Sequence, residues 1–208
     1  MLPSTIPIFP MPNVVLFPAV FLPLHIFEAR YRQMLSDALR GDRIIGISLL
    51  KRQESNDDAP AAVYPIGCAG LISHAEELPN GRSNIVLRGI QRFRIGWEEH
   101  ERTYRRAHIE PLPEKASEAI RTNAHETRTQ LETLLAGRLE TLDGPSMVPG
   151  GMGDEDLVNT LSQYLDLEPV EKQALLERDD IASRSQALID LIQIRTLATS
   201  SSGGAGLQ

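Results

Sequence analysis

The spacing of apolar positions changes along this chain, and each spacing predicts its own kind of element. From Ile6 to Phe27 (IPIFPMPNVVLFPAVFLPLHIF), apolar, β-branched and aromatic residues crowd between Pro7, Pro10, Pro12, Pro18 and Pro23. Each proline removes a backbone donor and clashes with a preceding helical turn, so the stretch predicts strands bent at prolines. So much apolar surface requires other strands to close over Val14, Val15, Leu16, Phe17 and Leu22. Helical spacing follows: Phe27, Tyr31, Met34, Leu35 and Ala38 share a face, and Gly41 supplies a left-handed stop.

Arg43 to Leu50 reads as a buried strand, and Lys51 to Pro60, with Asn56-Asp57-Asp58 at its tip, as an exposed loop. Val63 to Ser73 reads as one or two strands in which Gly67 and Gly70 permit a bulge, and Leu78-Pro79-Asn80-Gly81 as a turn. A hairpin follows in which Ile85 and Leu87 share a face. Past Gly89, alternation turns Phe93 and Ile95 inward and Arg92 and Arg94 outward. Thr103 to Ile109 is the last expected strand, since Pro111 and Pro113 oppose a sheet.

Beyond Pro113 the period is helical. Ile120, Ala124, Leu131, Leu134, Leu135, Leu139 and Leu142 mark a helix from Ala116 to Leu142, closed by Gly144-Pro145. Pro145 to Gly153 reads as a flexible connection. Asp154 is the expected cap of a helix burying Leu157, Val158, Leu161 and Leu165; Pro169 opens another; Asp180 caps a last helix reaching about Ala198. In that helix Leu188, Leu191 and Ile192 form the stripe. Arg184 and Arg195 lie on the same side, their heads expected to pair with acids such as Asp166 or Glu177. Thr199 to Gln208 is an expected disordered tail. The expected divisions are a β domain over 1–112, a helical bundle over 113–198 and the tail over 199–208.

Composition narrows the function. A net charge of −7 argues against wholesale nucleic-acid binding, and with one cysteine, Cys68, no internal disulfide is expected. Without a leader or a long uncharged stretch, the expectation is a soluble cytoplasmic protein that binds no membrane. His25, His74, His100, His108 and His125 are scattered, so no metal and no cofactor is expected. Cys68 near His74 reads as a buried cysteine, not a nucleophile and its base, and Glu98, Glu99 and Glu101 around His100 as a solvated turn. No Gly-Lys dipeptide exists to end a phosphate-binding loop, and Lys51, Lys115 and Lys172 are the lysines on which a serine–lysine dyad would have to draw. The chain is therefore expected not to be an enzyme.

Two blocks carry a resemblance. The first is Leu2-Pro3, Ile8-Phe9-Pro10, Asn13-Val14-Val15-Leu16-Phe17-Pro18 and Leu22-Pro23-Leu24, leading into Ile26-Phe27-Glu28 and Tyr31; the second is Asn80-Gly81 followed by VLRGIQRFRI from Val86 to Ile95. In this order they resemble the N-terminal domain family of Lon protease over Leu2 to Glu110. The resemblance implies an α+β protein with a PUA-like mixed β pseudo-barrel, one early helix and a C-terminal helical bundle. It also implies a stand-alone, non-catalytic module that recognises unfolded or apolar polypeptide segments in proteolysis or protein quality control, alongside a separate protease. Arg82, Arg88, Arg92, Arg94, Arg102, Arg105 and Arg106 interleave with Phe93, Trp97 and Tyr104. Because alternation turns Arg92 and Arg94 outward and three glutamates dilute the field, the cluster reads first as a solvated face. It reads second as a protein-binding groove with Arg92, Arg94, Trp97 and Tyr104 as its candidate residues, and third as RNA binding through an arginine-rich sheet.

Overall fold

The structure is a computed structural model that describes residues 2–51, 61–99, 101–115, 117–139 and 152–202. The expected loop tip Asn56-Asp57-Asp58, His100, Leu142, the Gly144-Pro145 stop, most of the 145–153 connection, the side chains of Leu135 and Leu139, and residues 203–208 lie outside the described residues. The chain divides into two compact units, one of Met1–Pro113 with Gln163–Glu177, the other of Glu114–Ser162 with Arg178–Gln208.

The first unit holds β1 (Thr5–Met11), β2 (Phe21–Ile26), α1 (Ala29–Arg40), β3 (Ile44–Leu49), β4 (Ile66–Glu77), β5 (Ser83–Glu99), β6 (Arg105–Leu112) and α4 (Pro169–Leu176). The strand order is β2-β5-β4-β3-β1-β6, and β5 also pairs with β6. The pairings thus run from β5 through β4, β3, β1 and β6 back to β5, leaving β2 with a single partner. β1 and β3 run parallel; the other pairs are antiparallel. One core cluster joins Ile6, Ile8, Ala69, Phe93, Ala107 and Ile109, and the arm buries Val15, Leu16 and Phe17 as expected.

Local chemistry explains several boundaries. Gly41 ends α1 through hydrogen bonds from its N–H to Asp37 O and Ala38 O, but at φ −107° and not in the left-handed geometry expected of it. Gly81 has φ +71°, the left-handed geometry of the expected turn, and its N–H closes onto Leu78 O at 2.9 Å. Pro169 opens α4, where the Glu168 N–H donates to the Glu171 carboxylate at 2.7 Å.

Three expectations need correction here. Phe27 precedes α1 and is 59% exposed, because Glu28 is the N-cap. β6 runs through Pro111 to Leu112, since Pro111 pairs opposite Phe93 within the ladder. β5 is one strand of 17 residues, not a hairpin broken at Gly89. It passes Gly89 because a Cβ there would lie 2.0 Å from Phe17 O. Gly89→Ala is therefore expected to lower stability by about 3 kcal/mol, the upper end for overpacking. A urea midpoint unchanged from the parent chain would refute that close approach.

The second unit contains α2 (Glu118–Leu139), α3 as far as Ser162 (the whole helix is Asp154–Tyr164) and α5 (Ile181–Ser202). α2 packs against α5, where the Ser185 hydroxyl donates to Thr127 Oγ1 at 2.9 Å. Asp180 caps α5 by accepting the Ser183 N–H at 2.8 Å. Asp154 does not cap α3. It lies inside the first turn and accepts from Arg128 at 2.9 Å. α5 extends past Ala198 to Ser202, so the first residues of the expected tail are helical.

Candidate functional site

The candidate binding residues separate in the structure. Arg92 is 3% exposed and donates through Nη1 to Leu176 O of α4 at 3.0 Å, which corrects the outward placement. The cause is a bulge. Ala69 pairs with Gln91 and Gly70 with Gly89, so Ile90 is an extra residue in β5 and reverses its alternation. Cys68, Gly70 and Ile72 share one face of β4, and their partners Arg92, Gly89 and Leu87 share the matching face of β5.

Arg94 is exposed, and Trp97 is 57% exposed and stacked on His108 with ring centroids 3.7 Å apart. A second extra residue, Gly96, puts Trp97 on the Arg94 face. Tyr104 is buried, and its hydroxyl donates to Asp37 Oδ2 at 2.8 Å. Burial, then the hydrogen bond to Asp37, pushes the Tyr104 phenol up. The same hydrogen bond, with Arg40 and Arg102 nearby, holds the Asp37 carboxyl below its ordinary value. Tyr104 is thus spent on anchoring α1 to the start of β6. Cys68 is buried, whereas His74, further along the same strand, is exposed.

An apolar-lined cleft of about 620 Å³ in the first unit has other walls. β1 and the residue after it supply Phe9, Pro10, Met11 and Pro12; β2 and its exit supply Pro23, Leu24, His25, Phe27 and Glu28; α1 supplies Arg30 and Tyr31; Leu50, Ala61 and Arg105 complete it. The exposed side chains among them face outward for local reasons. Phe27 follows the strand and precedes the helix cap, so neither element covers it. Pro10 and Pro23 sit within the ladders, opposite Ser48 and Val86, and line the cleft from paired strands. Under the wall, Phe9 and Tyr31 pack with centroids 4.3 Å apart, and the Arg30 guanidinium lies 4.5 Å over the Tyr31 ring. Sequence reasoning placed Tyr31 on the apolar face of the first helix and gave Phe9 no position. It missed the cleft, although Phe27 directly after the second proline-bearing strand was a usable signal.

The free edge of β2 borders this region and is obstructed. Gly89 N–H donates to Val20 O, so in the alternating ladder Phe21, Pro23 and His25 direct their backbone groups away from β5. Pro23 has no donor to offer, and the Tyr164 hydroxyl occupies Phe21 O at 2.9 Å. An added strand would find few groups to pair with.

Among the described residues no three His, Cys, Asp or Glu side chains converge on a metal-sized site, and no helix is long and apolar enough to cross a membrane.

A family model described as the ATP-dependent protease La (LON) substrate-binding domain matches residues 5–193. The chain is 26% identical over 195 residues to a Lon protease of Cytophaga hutchinsonii, covering 91% of this chain and 24% of that protein. It is 28% identical over 201 residues to Lon protease 2 of Myxococcus xanthus, covering 92% and 24%. The chain thus spans about a quarter of the length of these curated relatives. The N-terminal domain of a Mycobacterium avium complex Lon protease superposes with a TM-score of 0.67 at 19% identity, covering 91% of this chain and 98% of that one. A Lon N-terminal domain protein from Xanthomonas campestris gives 0.60 at 22% identity, covering 90% and 98%. At these identities the superpositions establish the mixed α+β fold.

Proposed function

Because the chain belongs to the Lon substrate-binding domain family, we propose that it is a non-catalytic module recognising unfolded or apolar polypeptide segments, in proteolysis or protein quality control and together with a protease. The observation that carries this reading is the apolar cleft bounded by Phe9, Pro23, Leu24 and Phe27. An extended chain can bury side chains there without strand addition, which the obstructed β2 edge disfavours. The returning strand pairings support reading the first unit as a PUA-like pseudo-barrel, and the packing of α2 on α5 supports a helical bundle in the second. Arg94 and Trp97 form a secondary candidate surface. RNA binding has less support, because Arg92 is committed to α4 and Tyr104 to Asp37.

Fluorescence titration with an unstructured apolar peptide and with single-stranded RNA, at low and physiological salt, tests this assignment. Peptide binding is expected to change little with salt, whereas RNA contacts would weaken steeply through counterion release. Phe27→Ser, a change at an exposed ring, is expected to weaken peptide binding about tenfold while leaving the melting temperature unchanged. Salt-sensitive RNA binding without peptide binding would reverse the assignment.

A further inference from the structure

The apolar cleft meets a second, more polar one of about 220 Å³, and both are lined by Pro10, Arg30, Tyr31 and Arg105. The two cations of this shared wall differ. Arg30 is engaged by Glu28 at 2.9 Å and by the Tyr31 ring. Arg105 donates through Nη2 to Ala61 O at 2.6 Å, but its Nε is 3.6 Å from Glu98, beyond hydrogen-bonding range. Its Nη1 is buried without an acceptor among the described residues. A guanidinium carries five donors, and an unused one beside apolar surface is costly. Of the neighbouring acids, Glu28 is held by Arg30 and Glu99 by Arg106 at 3.1 Å, which leaves Glu98 facing Arg105.

Resting on the polypeptide reading above, we propose that the preferred segment is apolar with one embedded Asp or Glu, whose side-chain carboxylate is received by Arg105. The acid is a side chain and not a chain end because the polar cleft continues beyond the shared wall and leaves room for the backbone to run on. A fifth of the Arg105 side chain is exposed. Turning its guanidinium toward the apolar cleft presents the unused donor while the stem stays packed. Glu98 competes for the same cation, so it sets the strength of the preference.

The test changes the ligand first, which leaves the fold untouched. Dye-labelled, C-terminally amidated peptides of Leu, Phe and Ser, carrying one central Glu or its isostere Gln, are titrated by fluorescence anisotropy, with the Gln peptide also made with a free C-terminal carboxylate. The Glu peptide is expected to bind about tenfold more tightly than the Gln peptide. That preference should disappear in Arg105→Gln and increase in Glu98→Gln. Equal binding of Glu and Gln peptides overturns the proposal, as does a preference that survives Arg105→Gln or one that Glu98→Gln leaves unchanged. Tighter binding of the free-carboxylate Gln peptide than of the amidated Glu peptide also overturns it, in favour of chain-end recognition. If neither amidated peptide binds, the polypeptide reading itself fails. Should Arg105→Gln not fold, the Glu-against-Gln comparison on the parent chain and on Glu98→Gln decides.

Discussion

Phe17→Ala is expected to destabilise the first unit by about 3 to 5 kcal/mol, the range for removing a large, fully buried ring. Phe17 is 0% exposed. Its backbone is pinned on both sides, which limits how far the site can collapse around the missing ring. The Phe17 N–H donates to Gln163 Oε1 at 3.2 Å, and its carbonyl accepts from the Val20 N–H at 3.4 Å. The same carbonyl is the atom that a side chain at position 89 would strike. A cavity that cannot close retains most of its cost. Phe17→Leu, which keeps most of the volume, should recover much of the loss. Urea unfolding followed by the fluorescence of Trp97 in the same unit measures both; an effect of Phe17→Ala below about 1 kcal/mol would falsify the burial of the proline arm.

Arg184→Ala should have an effect of similar size in the second unit, by a different mechanism. The Arg184 side chain is 0% exposed, its Nη1 donates to Asn159 Oδ1 at 3.0 Å, and its Nη2 is 3.2 Å from Glu114 Oε2. It also reaches the Arg178 carbonyl at 3.4 Å. Glu114 and Asn159 are partners that the sequence did not point to. Removing the guanidinium leaves a largely buried Glu114 carboxylate without this cation, and breaking such pairs costs about 3 to 5 kcal/mol. Removing both charges is far less harmful than removing one. Arg184→Met with Glu114→Gln should therefore lie well above Arg184→Ala in stability, because the methionine stem refills the apolar volume. Circular dichroism of helix content against urea reads the comparison. A double variant no more stable than Arg184→Ala would show that neither the orphaned Glu114 charge nor the lost side-chain volume accounts for the effect.

The amino-acid order was sufficient wherever a feature depends on neighbours along the chain. Prolines exclude helix from the arm without help from the fold, and β1 and β2 run through Pro7, Pro10 and Pro23. Gly41 ends α1, Gly81 makes its turn, Pro169 opens α4 and Asp180 caps α5, each through groups within a few residues. The family resemblance was also legible in two proline- and glycine-marked blocks, and the match over residues 5–193 agrees with it.

Distant contacts decided the rest. Alternation placed Leu87 and Phe93 on one face, but the extra Ile90 reverses the pleat, so both are buried on opposite faces and Arg92 turns under α4. Gly70 permits a bulge, but which residue of β5 is extra is set by its pairing with β4. Likewise α4 belongs with the strands, through the hydrogen bond from Gln173 to Ile66 O and that from Arg92 to Leu176 O. The cleft combines β1, β2, α1 and Arg105 of β6. Whether a phenylalanine at position 9, 17 or 27 becomes floor, core or rim depends on which strand happens to cover it. Hydrophobicity states that a ring must leave water. It is non-directional, so the chain's closure, and not its sequence pattern, chooses which rings are left open to a partner.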